Sequence, residues 1–548
     1  MLCRIISSLE KCFLQESIFQ KPEYKKASML KNEIFHFGIC YQLKSDHPGS
    51  KGFYTAELSS PIADHIRISR VRHVPVELPV YKSFDSDYLS TKPGLYPDLL
   101  IPYTLGGRMS VSHNLQSLFV EIDPRSQVAA GVYPVQIEFR DDTGEIAAQA
   151  GFEIEIIDAL LPPQTLINTQ WFHCDCLQSY YGTEAFDERH WTVIENFLRT
   201  AVKNGMNTVL TPIFTPPLDT DIGRERPTTQ LVDITVTDSG YSFGFDKLDR
   251  WIDMCGRVGI GYFEIAHFFT QWGALHAPKI VAKVGGETKK IFGWETDSCS
   301  GEYAGFLQAL IPALLRHLKI RGVDKRCFFH VSDEPKAEQL EQYAAARAIV
   351  APLLEGYTIM DALSNFEFYD KGVVEHPIPS NNHIEPFLEA KVPDLWTYYC
   401  CGQTKEVSNR FIAMPSARTR VMGMQMYKYD IAGFLHWGYN FYYNQRSHDL
   451  INPYLCTDGE YFGPAGDAFS VYPAPDGTAY ESLRLPAFSD GLQDMRAMQK
   501  CAQLYSREFV IKLMEEGTDP VTFSSYPRSS GWLLTVREKI NAAIKAAK

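Results

Sequence analysis

The 548-residue chain has no apolar run able to cross a bilayer: the stretch 311–318 is interrupted by Pro312, Arg316 and His317, well short of the roughly 20 apolar residues a span needs. A membrane-spanning protein is set aside on that pattern. Basic charge is also in short supply. The net charge is −13 and no dense Lys/Arg stripe occurs, so nothing draws in phosphate backbones and nucleic acid is not expected as a partner. Neither a Gly-rich phosphate loop nor a G-x-S-x-G elbow is present, which removes support for a kinase or an esterase. The 12 cysteines are scattered; the only close sets, Cys174/Cys176 and Cys400/Cys401, lack the spacing of a zinc site and read as reduced, mostly buried thiols. Ser7, Ser8, Glu10 and Lys11 break up the apolar start at Ile5 and Ile6, so no signal-peptide core forms and a cytoplasmic location is expected. Internal repeats and low-complexity tracts are missing too.

What remains is the composition of a folded globular protein, with 45% hydrophobic and 22% charged residues and an aromatic share of 13%. The 29 Tyr and 33 Phe suit an aromatic core, and equally a cleft in which flat rings stack on sugars. The length exceeds what one core usually supports, so two domains are expected. Residues 34–157 read as short alternating strands separated by Gly, Pro, Asn and Asp turns, a β-sandwich pattern. Leu160-Leu-Pro-Pro163 cannot continue a ladder. A first domain over 1–162 and a second over 163–548 follow.

Beyond residue 162, short apolar runs alternate with helical stretches, the order of parallel strands with helical crossovers. Candidate strands are 169–173, 208–211, 262–267, 327–331, 357–361, 373–378, 395–399 and 433–437, the eight that close a (β/α)8 barrel. Candidate helices cover 187–204, 247–258, 301–319, 336–354 and 415–427, followed by a closing helix within 481–516 and a last one over 531–547. The expected architecture is thus a multidomain chain, an N-terminal all-β sandwich followed by an α/β barrel with C-terminal helices. Strand ends carry polar or aromatic residues, and in such barrels the active site is built there.

The sharpest chemistry lies in Cys327-Phe-Phe-His-Val-Ser-Asp-Glu-Pro335, where an apolar strand ends in two consecutive acids. Glycosidic cleavage needs a proton donor beside the leaving oxygen and a second group that stabilises charge near the anomeric carbon, and Asp333 with Glu334 supply both. Because Pro335 takes the chain out of extended geometry, the two side chains need not face opposite ways. The same residues also make a good helix start, with acids at the positive end of the dipole and Pro in the first turn. Adjacent acids fit two-carboxylate hydrolysis poorly; substrate-assisted hydrolysis, in which a 2-acetamido oxygen attacks the anomeric carbon, fits better. That chemistry needs no metal, no cofactor is expected, and no His/Asp/Glu set shows ligand spacing along the chain.

The sequence resembles glycoside hydrolase family 123 and its relatives in domain of unknown function 4091. The resemblance is carried by Ser332-Asp-Glu-Pro335, Leu395-Trp-Thr-Tyr-Tyr-Cys-Cys401, Gly433-Phe-Leu-His-Trp-Gly-Tyr439, and Gly466-Asp-Ala-Phe-Ser-Val-Tyr-Pro-Ala-Pro-Asp-Gly477 leading into Ser482-Leu-Arg-Leu. Together these span most of residues 130–505. The resemblance implies a β-N-acetylgalactosaminidase acting on glycans or glycosphingolipid headgroups by the substrate-assisted route, with Asp333 orienting the acetamido group and Glu334 as acid/base. It also implies a tyrosine hydroxyl on the acetamido oxygen, from Tyr398 or Tyr399, each of which also reads as a core residue. Trp437 is a candidate pocket floor or a core indole. Asn409 aligns with a Pro-Asn segment of relatives, although Ser408 replaces the proline here. His173, Asp175 and His267 at early strand ends are candidate hydroxyl binders or structural polar groups. Two other readings stand beside this one: a related barrel hydrolase acting on a sugar without an acetamido group, and a non-catalytic glycan-binding protein that keeps the barrel as scaffold.

Overall fold

A computed structural model describes residues 1–44 and 50–547. The N-terminal part is two five-stranded sheets. One carries, in spatial order, Leu2–Ser7, Phe35–Gln42, Gln116–Ile122, Ile66–Val76 and Gly94–Pro102; the other carries Lys26–Leu30, Ile146–Ile157, Gly131–Asp141, Lys51–Ser59 and Arg108–Ser112. Alternation puts Phe37, Ile39, Val120, Ile137, Phe139 and Ile154 into the shared core, where a single residue slip would expose the whole set. This is the expected sandwich.

The eight expected barrel strands all form: β1 (Ile167–Gln170), β2 (Thr208–Thr211), β3 (Tyr262–Ile265), β4 (Cys327–Phe329), β5 (Thr358–Ala362), β6 (His376–Ile378), β7 (Trp396–Tyr398) and β8 (Gly433–His436). They run parallel in the order β6-β5-β4-β3-β2-β1-β8-β7. Between β6 and β7 the ladder is reduced to a bridge of Ser380 with Tyr398, where the Tyr398 N–H donates to the Pro379 carbonyl at 3.1 Å and the Asn381 N–H to the Tyr398 carbonyl at 2.8 Å. The barrel is therefore nearly closed. Its interior is filled by Leu210, Met360, Ile378, Trp396 and Leu435, as expected for a packed core rather than a pore. Gly433 is required by that packing, because a Cβ there would lie 2.1 Å from the Trp396 indole.

Helices Glu188–Lys203, Asp246–Val258 and Gly301–Ile320 fall where the periodicity places them, and Asp187 and Ser300 cap the first and third through their side chains. The expected stretch 336–354 is an α-helix, Leu340–Val350, flanked by 3-10 turns, and 415–427 breaks into Ser416–Arg420 and Met422–Lys428. The C-terminal region holds Arg484–Leu504, Arg507–Met514 and Ser530–Ala546. Arg484 reaches back to the sandwich strand Gly94–Pro102, donating from Nε and Nη2 to the Asp98 carboxylate at 2.9 Å each, with both groups buried. Strands outside the expected set include Asp233–Thr237, Gly240–Gly244, Ile280–Val284 and Glu287–Phe292, which form a separate sheet from the excursions that follow β2 and β3. These excursions bring Leu218, Asp219, Gln271 and Trp272 to the cavity at the C-terminal end of the barrel. Among the described residues no helix is long and apolar enough to cross a membrane.

Candidate active site

Beyond β4 the chain runs through His330, Val331, Ser332, Asp333 and Glu334 without regular structure, and both neighbouring strands fix its course. The Asp361 carboxylate, on β5, accepts from the Val331 N–H at 3.1 Å and from the Tyr343 hydroxyl, and pairs with His330 Nδ1 at 3.3 Å. From the β3 side, the Thr270 carbonyl accepts from the Ser332 hydroxyl at 2.8 Å, and the Trp272 N–H donates to the Asp333 carbonyl at 3.0 Å. The Glu334 N–H donates to the Ala362 carbonyl at 3.0 Å. Held so, Glu334 takes φ 42°, a left-handed conformation unusual for a non-glycine residue. That turn breaks the two-residue alternation of a strand, and the side chains of Asp333 and Glu334 both line one cavity of about 180 Å³ at the C-terminal end of the barrel. The lining also includes Trp171 just after β1, Tyr398 at the end of β7, Trp437 just after β8, and Asp219, Gln271 and Trp272 from loops.

The electrostatics of the pair follow from its burial. Loss of water raises the Asp333 carboxyl well above the ordinary carboxylate range, and the neighbouring acids Glu334 and Asp361 add to the shift while His330 opposes it. Burial also raises Glu334, against the pull of the Tyr398 hydroxyl, which donates to Glu334 Oε1 at 2.5 Å. Two acids coupled this closely titrate as a pair, each raising the affinity of the other for a proton. Beneath them lies a second charge cluster. His330 Nε2 forms an ion pair with Glu264 at 2.8 Å, and Glu264 in turn accepts from Thr169 Oγ1 at 2.5 Å and Trp171 Nε1 at 2.8 Å. Burial disfavours the imidazolium, but Asp361 and Glu264 outweigh that and raise His330 to about 10, so it is cationic under the acid pair. Asp219 is a third carboxyl in the cavity, raised to about 6 by burial and accepting from the Arg446 N–H at 2.9 Å.

The structure distributes the other sequence candidates unevenly. Tyr398 and Trp437 line the cavity, and the Trp437 indole N–H donates to Asp467 at 2.8 Å. Tyr399, one residue on, faces the opposite way and packs against Phe434 and His436 in the layer outside the barrel. His173 lies below the lining: its ring nitrogens approach the Trp437 carbonyl at 2.9 Å and Arg226 at 3.2 Å, and Arg226 makes a buried bidentate pair with Asp175. Asn409 is also off the cavity, its amide donating to the carbonyls of Cys400 and Gln403 at 2.9 Å each and holding the turn that carries Cys400 to the lining. His267 stacks on His330 with ring centroids 4.4 Å apart and does not reach the cavity.

Asp219, Gln271 and Trp272 were missed from sequence. They sit in long loops with no motif of their own, and the only available signal was that loops following β2 and β3 of a barrel overhang its active face. Among the described residues, one set of candidate metal ligands comes together that spacing along the chain did not show: His267, His330 and Asp361 offer ligand atoms within 4.8 Å of one another. Their geometry fits an ion-paired network better than a metal. The two imidazoles are nearly parallel, 22° apart, so their in-plane lone pairs run side by side instead of converging, and His330 is already held between two carboxylates.

No curated protein sequence matches the chain. Among solved structures, the chain is similar to a family 123 glycoside hydrolase from Clostridium perfringens, studied for glycolipid glycan hydrolysis, with a TM-score of 0.73 and 16% identity over 100% of this chain and 97% of that one. At that identity the likeness is one of fold. A much weaker likeness, with a TM-score of 0.33 and 11% identity over 62% of this chain and 78% of the other, links it to the endo-beta-1,4-mannanase from Thermotoga petrophila. The family model described as Glycoside hydrolase 123, catalytic domain, matches residues 171–501, which takes in every barrel strand from β2 to β8 and the whole cavity lining. The chain belongs to glycoside hydrolase family 123.

Proposed function

We propose that the chain removes a β-linked N-acetylhexosamine, N-acetylgalactosamine foremost, from a glycan or glycosphingolipid headgroup by substrate-assisted retaining hydrolysis. The observation that carries this reading is that successive acids, Asp333 and Glu334, line the same cavity from the same turn. Two-carboxylate hydrolysis sets its acids on opposite sides of the sugar, about 5–5.5 Å apart for retention and about 6.5–9.5 Å for inversion. A nucleophile from the substrate itself removes that demand. The acetamido oxygen forms a bond to the anomeric carbon as the bond to the leaving oxygen breaks; Glu334 gives its proton to that oxygen, then takes one from the water that opens the cyclic intermediate.

In this scheme Asp333 accepts the acetamido N–H and stabilises the positive charge of the cyclising group. Substrate also sorts protonation within the pair. The N–H bond and the His330 imidazolium below both favour ionised Asp333, which leaves the proton on Glu334 where it is needed. Tyr398 donates to the Glu334 carboxyl and offers its hydroxyl to the acetamido oxygen when substrate enters, while Trp437 forms the floor under the ring. The similar Clostridium perfringens structure was studied for glycolipid glycan hydrolysis, which supports the substrate class.

Asp219 favours a second reading. A carboxyl from a different loop lines the same cavity, so Glu334 as acid and Asp219 as nucleophile make a two-carboxylate hydrolase for a sugar without an acetamido group. A panel of aryl β-glycosides separates the two. Turnover of 2-acetamido substrates alone is expected, with the galacto and gluco members of the panel giving the configuration. Efficient cleavage of an unacetylated glycoside supports the Asp219 reading, and binding without turnover of any member supports a glycan-binding scaffold.

A further inference from the structure

The cavity closes over buried groups, Trp171 and Tyr398 among them, and opens beside Trp272, which is 37% exposed. That indole is held at some cost. Trp272, Gly273 and Ala274 have φ of 59°, 116° and 56°, three successive residues in the left-handed region, where a bulky side chain is a genuine outlier. The surroundings over-determine the turn: the Trp272 N–H donates to the Asp333 carbonyl at 3.0 Å, the Gln339 amide donates to the Trp272 carbonyl, and a Cβ on Gly273 would come within 2.7 Å of the Gln339 side chain. Arg446 lies 5.7 Å from the ring centroid and is itself held by Asp221 at 3.2 Å. Strain retained by such a network at the edge of a cleft points to a ligand.

We propose that Trp272 is the aromatic platform of a second sugar position at the mouth of the cavity, which receives the hexopyranose bonded to the residue being cleaved. The inference rests on the functional reading above. With the terminal sugar between Trp437 and Tyr398, the remainder of the glycan leaves by the mouth and passes the indole, whose face suits the C–H face of a pyranose. Because the Trp272 backbone is tied to Asp333, the platform and the acid pair keep a fixed relation, and binding of the second sugar sets the bond to be cleaved against Glu334.

The test compares wild type, Trp272→Ala and Trp272→Phe on two substrates sharing one terminal N-acetyl-β-hexosamine, its glycosyl fluoride and a disaccharide. The fluoride has no second ring. For Trp272→Ala, kcat/KM on the disaccharide is expected to fall on the order of tenfold further than that on the fluoride, and Trp272→Phe is expected to keep most of the disaccharide rate. Equal losses on both substrates, or no loss on the disaccharide, overturn the platform and leave the functional reading intact. Failure of wild type to cleave either substrate overturns the functional reading and the platform with it.

Discussion

Glu334→Gln is expected to keep the fold and to lose about 10²–10⁴-fold in turnover of a natural glycan, the range for removing a positioned general acid. Gln preserves the size of the side chain and leaves a carbonyl for the Tyr398 hydroxyl, so the loss reports the proton and not the packing. Two further signatures follow. Substrates whose leaving groups depart without protonation, such as dinitrophenyl glycosides, recover most of the lost rate in the variant. The wild-type kcat/KM profile falls on its alkaline side as the raised Glu334 carboxyl gives up its proton, at a pH above the ordinary carboxylate range because burial holds the acid form, and the variant lacks that limb. Near wild-type turnover of a natural glycan by Glu334→Gln removes this residue from the role.

Asp333→Asn has the second large effect, for a different reason. The amide is neutral and can no longer stabilise the charge that develops as the acetamido group cyclises, which by comparison with other preorganised electrostatic groups costs about 10²–10³-fold in kcat. A thiazoline mimic of the cyclised intermediate separates the two acids, since such a mimic draws on contacts made only near the transition state. Asp333→Asn is expected to weaken its inhibition together with turnover, and Glu334→Gln to lose turnover while retaining tight inhibition. Equal inhibition of wild type and Asp333→Asn contradicts the assignment.

The parts of this molecule readable from sequence are those where a local rule and the tertiary structure agree. The barrel strands are short apolar runs buried on both faces, such as Thr208–Thr211 and Gly433–His436, and flanking helices with side-chain caps at Asp187 and Ser300 mark the spaces between them. The acid pair was legible because two consecutive carboxylates end the fourth apolar run of a barrel, where active sites are built, although the same residues also suit a helix start. The Tyr398/Tyr399 choice was not, because adjacent residues on a strand face opposite sides and only the barrel's curvature decides which side is the cavity. Asp219 and Trp272 reach the site from loops whose course is set by the separate four-stranded sheet. One hairpin of that sheet carried a readable signal, the Gly285-Gly286 turn between residues 280–284 and 287–292, but no local pattern shows that it steers the loop after β3 over the barrel. His330 was hidden for a similar reason: its charge depends on Glu264 and Asp361, which come from two other strands.

The central claim is that the nucleophile belongs to the substrate. It is tested most directly by kcat/KM for a series of glycosides that share one leaving group and carry N-acetyl, N-fluoroacetyl, N-difluoroacetyl and N-trifluoroacetyl groups. Each fluorine withdraws electron density from the amide oxygen and changes little else at the reacting centre. A steep fall with every added fluorine is predicted, in parallel for wild type and for Trp272→Ala; rates independent of fluorination, accompanied by a covalent glycosyl-enzyme on Asp219 or Asp333, would contradict the account.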